Sequence, residues 1–212
     1  EIIGGYRFIC GADAKIIDGK PWLTSEHLFD YSPEFIEDFL PYTIELGRSF
    51  ICPKYQSGAS STKSMYALDN LWDGIGALIV KFKAKYLFGK ASIYSHFGDD
   101  AFAIIRHFLN LYFADSRNLV YAKNPIKTDV SEEIKSLFCG DNYKDDYVVL
   151  KRELKKLDRH IPPLVNSYMN VSPTMIAFDS TINEEFGNVY ETGLLVTTAD
   201  MYEEKVKRHM EF

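Results

Sequence analysis

The stretch that most restricts the fold is residues 42–52, YTIELGRSFIC. Thr43, Glu45, Gly47, Ser49 and Ile51 alternate with Tyr42, Ile44, Leu46, Arg48 and Phe50, the two-residue period of a β-strand, and Pro53 ends the run. The alternation contains a conflict. Glu45 and Arg48 fall on opposite faces of a regular strand, so any joint action requires a bulge, which Gly47 permits. A polar loop follows, PKYQSGASSTKS at 53–64, and then a run with helical spacing through Leu68, Leu71, Trp72, Ile75, Leu78 and Ile79.

The flanking segments extend this strand–loop–helix unit. Residues 2–10 read as a strand, and GADAKIIDGKP at 11–21 sets Asp-Gly and Lys-Pro turns around a short apolar piece, as in a hairpin. SPEFIEDFL at 32–40 has a Ser N-cap, Pro at the first helical position and apolar residues at Phe35, Ile36, Phe39 and Leu40, which predicts a short helix stopped by Pro41. Residues 86–93 predict a strand, and 99–113 an amphipathic helix with Phe102, Ile105, Phe108, Leu109 and Tyr112 inward. This order predicts one mixed α/β domain over residues 1–212. Residues 131–160 are helical and charged and read as an insertion or lid. Strands at 176–178 and 190–197 and a charged closing helix complete the chain.

Bulk properties remove several function classes. At 212 residues and 46% hydrophobic content the chain fills one core, and no apolar run reaches the ~18 residues of a membrane-spanning helix. Cys10, Cys52 and Cys139 show no CxxC spacing and leave one over, which argues against a disulfide framework or a zinc site and points to the cytoplasm. The histidines form no HxxxH or carboxylate cluster, so no metal is expected. A net charge of −6 weighs against nucleic-acid binding. The chain opens at Glu1 directly into a strand pattern, so the expectation is an earlier natural start, with the preceding segment supplying a neighbouring strand.

Five motifs in order carry a family resemblance: GGYRFI at 4–9, LPYTIELGRSFICPKYQ at 40–56, ALDNLWDGIGAL at 67–78, YLFGKASIYSHF at 86–97 and IPPLVNSYMNVSPTM at 161–175. Together they resemble the bacterial acyl-carrier-protein-dependent N-acyltransferases of the GNAT fold, the ornithine- and glycine-lipid synthase type of Bacteroidetes, some of which carry a "haemolysin-like" label. More distantly they resemble the acyl-homoserine-lactone synthases. The resemblance implies a mostly antiparallel mixed sheet with helices on both faces and one splayed parallel strand pair, here 42–52 and 86–93. It also implies a (3-hydroxy)fatty acyl transfer from acyl carrier protein to the amine of an amino acid, glycine or ornithine. No cofactor is bound permanently, and the donor is an acyl-carrier or acyl-CoA thioester.

In that scheme Gly47, Phe50, Gln56, Ser57, Gly58, Ser92 and Tyr94 meet the pantetheine thioester, with a backbone N–H of 47–50 facing its oxygen. Glu45 is the candidate base, and the alternative is a salt bridge to Arg7 or Arg48. Arg7 and Arg48 are candidates for the acceptor's carboxylate, since a guanidinium offers a planar fork of donors, with a structural ion pair as the alternative for Arg48. Ser49 either protonates the leaving thiolate or fills a tight strand position. Trp72 and Tyr66 read as core, and His96 with Tyr94 stands where a general acid would serve.

The loop at 53–64 lacks the full Q/R-x-x-G-x-G/A pattern that wraps a pyrophosphate in many acetyl-CoA-dependent relatives, which favours a carrier-protein donor. Lys54 and Lys63 are placed to meet an acidic carrier surface. The competing functions are a CoA-dependent small-amine N-acetyltransferase and a catalytically silent module that binds the carrier or a membrane surface.

Overall fold

The computed structural model describes residues 1–55, 62–127 and 130–211, with the backbone alone for 62–69. The chain begins with strand β1 (Gly4–Cys10), and then β2 (Ile16–Ile17) and β3 (Lys20–Pro21) form the hairpin that Asp-Gly announces. Asp18 and Gly19 both hold positive φ, 50° and 76°, as a two-residue hairpin turn requires. Strand β4 (Phe29–Tyr31) follows without a sequence expectation. The short helix predicted at 32–40 is a π-helical turn over Phe35–Phe39 that tightens into a 3-10 turn over Leu40–Tyr42. Ser32 Oγ accepts the Phe35 N–H at 3.0 Å, and Pro41 has no N–H with which to extend the ladder.

Then come β5 (Thr43–Ile51), α1 (Thr62–Phe82), β6 (Tyr86–Ile93), α2 (Asp99–Phe113) and β7 (Val120–Ala122), with β6 and α2 at their predicted limits. The charged region holds α3 (Glu132–Lys135) and α4 (Tyr143–Lys156). Helix α5 (Pro163–Met169), strands β8 (Ile176–Asn183) and β9 (Val189–Thr197), and helix α6 (Glu203–Met210) finish the chain. Both β8 and β9 run beyond their predicted limits, because a ladder continues through polar residues once a partner strand satisfies the backbone.

The main sheet runs β1-β5-β6-β9-β8, with β5 and β6 parallel and every other pair antiparallel. It is a mixed, mostly antiparallel sheet with one parallel pair, as the resemblance implies. Alternation sorts its side chains into two cores. Ile44, Leu46, Leu87, Ala91, Ile93, Leu194 and Val196 join the helices' apolar residues on one face. Phe88, Leu195 and Phe178 meet Phe29, Tyr31, Phe35 and Phe39 on the other, where the π-helical turn and the β4–β7 ribbon form the cover. We call these the helical face and the ribbon face. Among the described residues no helix is long and apolar enough to cross a membrane.

Helix α4 packs on α2 and sends Leu150 and Leu154 into the helical-face core. Its N-terminal turn is fixed by Asp146, which is buried and accepts from Tyr112 Oη at 2.5 Å, Gly140 N at 2.8 Å and Cys139 N at 3.1 Å. Burial pushes this carboxyl up, but the hydrogen bonds from Tyr112, Gly140 and Cys139 pull harder and leave it below the usual aspartate range. A depressed folded value means that the stabilisation is present above the unfolded value near pH ~3.9 and is lost as pH falls through the lower folded value. Asp146→Ala is expected to cost about 2 kcal/mol, read as a drop of about 4–8 °C in Tm for a chain of this size. Melting curves across pH 2–6 should show an acid-linked loss of Tm in the wild type that the variant lacks.

Candidate functional site

Strands β5 and β6 pair only from Thr43–Tyr86 to Leu46–Gly89. Beyond that point β5 stays on β1 through Phe50 and Ile51, while β6 stays on β9 through Ile93. Each strand keeps its outer neighbour and loses the inner one. Their facing backbone groups after Leu46 and Gly89 therefore have no strand partner, and they flank a cleft of about 840 Å³.

A bulge sits at the start of this gap. Between Gly5 and Arg7 of β1 lies one residue, but between their partners Phe50 and Gly47 lie two, and Arg48 takes a left-handed φ of 47°. The extra residue shifts the alternation. Ile44 and Leu46 face the helices before it, whereas Ser49, beside Tyr6, and Ile51, against Gly4 and Leu71, do so after it. Glu45, Gly47 and Arg48 thereby come to one side, the ribbon face, as joint action required.

Glu45 is 3% exposed, and its two oxygens are fully engaged. Oε2 accepts from Thr24 N and Thr24 Oγ1, both at 2.8 Å, and Oε1 accepts from Ser25 N at 2.9 Å and from Ser25 Oγ. The loop of residues 24–25 is thus fastened to β5 by one carboxylate. The salt bridge from Glu45 to an arginine is absent among the described residues. The Arg7 guanidinium instead lies over Gly47, where a Cβ would come 3.3 Å from Arg7 Nη2 and 3.7 Å from Thr24 Oγ1. Arg7 and Arg48 are both exposed at the cleft and, among the described residues, make no ion pair.

Across the gap, Lys90 and Ser92 of β6 point to the same ribbon face and meet Glu191 of β9, which is wholly buried. Lys90 Nζ lies 2.5 Å from Glu191 Oε1, Ser92 Oγ donates to Oε2 at 2.8 Å, and Asn183 Nδ2 donates to Oε1 at 3.2 Å. The remaining wall comes from residues 160–164, which lead into α5, and from 183–186 after β8.

Among the sequence-predicted residues, Arg7, Glu45, Gly47, Arg48, Ser49, Phe50, Ser92 and Tyr94 all line this one cleft. Gln56, Ser57 and Gly58 lie outside the described residues, as do the side chains of Lys63 and Tyr66. Ser49 points to the helical face near Tyr6, whose buried phenol is pushed up to about 12 by desolvation. Tyr94 and His96 stack at 5.7 Å on an exposed turn at the cleft mouth. Trp72 is buried, edge-on to Tyr168, and Lys54 is paired with Glu1. Among the described residues no three His, Cys, Asp or Glu side chains gather where they could hold a metal ion.

The family model described as "Acetyltransferase (GNAT) domain" matches residues 1–65, which contain β1, β5 and the bulge. Residues 1–65 are thus similar to a GNAT domain. Two relatives named glycine N(alpha)-acyltransferase align over 214 positions and the whole of this chain, one from Phocaeicola vulgatus at 44% identity and one from Bacteroides thetaiotaomicron at 45%. The chain spans 66% and 64% of those proteins' own lengths. No solved structure matches.

Sequence reasoning missed Thr24, Ser25, Lys90, Asn183 and Glu191. The signals were present: a lysine in YLFGKASI and a glutamate in VYETGLLV each interrupt an otherwise apolar strand, and such a charge needs a partner once buried. Arg48 in the left-handed region holds strain of about 1 kcal/mol that glycine would relieve. Arg48→Gly is therefore expected to raise stability by roughly that amount in a denaturant titration. The same variant also removes a cation from the cleft lining.

Proposed function

We propose that the GNAT domain transfers a fatty acyl group, as in a 3-hydroxyacyl donor, from the phosphopantetheine thioester of acyl carrier protein to the amine of glycine. The observation that carries this reading is the parting of β5 and β6 at Leu46 and Gly89, which opens unpartnered strand edges onto a cleft lined by free guanidinium groups. The relatives' names support glycine as acceptor. The incomplete pyrophosphate pattern in residues 53–64 supports a carrier protein over acetyl-CoA as donor.

In this mechanism the pantetheine arm lies between the strands and adds its amide groups to their free edges. The thioester carbon sits by the bulge, and an N–H of residues 47–50 holds the oxygen as it gains negative charge, a contribution worth ~100- to 1,000-fold in rate. Glycine approaches on the ribbon face with its carboxylate toward Arg7 and Arg48. Its neutral amine attacks the carbonyl carbon. A C–N bond forms, the C–S bond breaks, the amine gives up one proton, and the pantetheine thiolate takes one up.

Because all the acceptor capacity of Glu45 is engaged, the proton reaches it through Thr24. The Thr24 hydroxyl accepts from the amine while passing its own hydrogen to Glu45 along the existing 2.8 Å bond. Arg7, Arg48 and Glu45 thus bind, orient and receive a proton, and no covalent enzyme intermediate is needed.

Mass spectrometry of the full chain incubated with long-chain 3-hydroxyacyl carrier protein, acyl-CoA or acetyl-CoA, each with glycine or ornithine, tests the reading. N-acylglycine from the carrier-protein donor is expected, and turnover with acetyl-CoA alone would overturn it. Thr24→Val should lower kcat/KM about 100-fold, with the deficit narrowing as pH rises and solvent supplies the neutral amine. An unchanged rate would remove Thr24 and Glu45 from the proton path.

A further inference from the structure

The pair formed by Lys90 and Glu191 has a role that core stability does not explain. Glu191 is wholly buried, Lys90 keeps 21% of its side-chain surface, and both line the cleft on the ribbon face that also carries Glu45 and Arg7. A buried ion pair is seldom more stable than an apolar pair of similar size. What it does accomplish is to fix a charge in space. A free lysine swings its ammonium into water, but here Glu191 holds Nζ at 2.5 Å, and Glu191 is itself held by Ser92 and Asn183. Lys90 is the first β6 residue beyond the last paired position, Gly89, so it stands at the start of the gap, one residue past the register that ends at Leu46, and its side chain lines the cleft with Arg7 and Gly47.

The acids tell the other half. Glu191 is spent on Lys90, Ser92 and Asn183, and Glu45 on Thr24 and Ser25, so neither buried acid is free to receive a second ammonium group. We infer that Lys90, pinned by Glu191, is a specificity-determining residue that binds the acceptor's carboxylate, and that the cleft takes small α-amino acids with an uncharged side chain or none. An acceptor with a cationic side chain meets fixed cations and no free buried acid; the remaining acid of the lining, Glu185, is exposed to solvent, where a pairing is worth little. The inference rests on the proposed amine acylation and adds to it the group that reads the acceptor.

The test compares glycine with glycinamide, which keeps the amine and loses the negative charge. Lys90→Met alone would strand a buried carboxylate, so the informative variant is Lys90→Met combined with Glu191→Leu, with a melting curve to establish folding. For the double variant, kcat/KM with glycine is expected to fall about 10- to 100-fold, with glycinamide changing less than about 3-fold, since one charge-assisted bond to carboxylate is lost. Lys90→Arg, which keeps the charge, should retain most of the preference for glycine. Equal losses for the two acceptors, or none for either, overturn the role of Lys90 while leaving acyl transfer intact. A wild-type chain that acylates no amine from any thioester overturns acyl transfer and this inference together.

Discussion

Hydrogen-bond accounting along two strands governs this molecule. A buried backbone that gives up a ladder partner must find another or face water. Here β5 and β6 separate after four paired positions without either strand becoming loose, because β1 and β9 hold them from outside. The cleft is therefore a gap inside a sheet rather than a groove between domains. Its walls are as stiff as strands, and their unused N–H and C=O groups face inward at strand spacing. That spacing suits an extended chain bearing amides, and the bulge at Gly47–Arg48 turns the charged side chains of β5 toward the same opening.

Electrostatics on the ribbon face then follows one pattern. Each buried carboxylate is surrounded by donors that belong to the protein, four for Glu45 and three for Glu191. The guanidiniums of Arg7 and Arg48 are left with no ion pair among the described residues. The cleft lining holds three bases, Arg7, Arg48 and Lys90, and three acids, Glu45, Glu185 and Glu191, but two of those acids are buried under the protein's own donors while both guanidiniums are exposed. The two buried acids hold their loop and strands in place, and the exposed guanidiniums line the opening.

Much of this was legible in the sequence, and the rest has definite physical reasons for being hidden. Strand β6 and helix α2 were readable to the residue, since periodicity and turn residues agreed there. The need for a bulge followed from parity alone, because no regular strand places Glu45 and Arg48 together. The partners of Glu45 were not readable. Thr24 and Ser25 lie 21 and 20 positions away in a loop without periodicity, and two of their four donors are main-chain N–H groups that no residue type announces. The β4–β7 ribbon escaped notice for a related reason: three-residue strands paired across some ninety positions leave too few alternations to register.

The position of β1 at the outer edge of the sheet bears on how firmly the site is held. Arg7 rides on this strand, so its guanidinium reaches the cleft only while the β1–β5 ladder is closed. Among the described strands nothing pairs with the other side of β1, and outermost strands are the first to open in local fluctuations. The Arg7 end of the cleft is therefore coupled to fraying at the margin of the sheet. A chain segment that added itself along β1 would rigidify the ligand site from a distance, without touching the ligand.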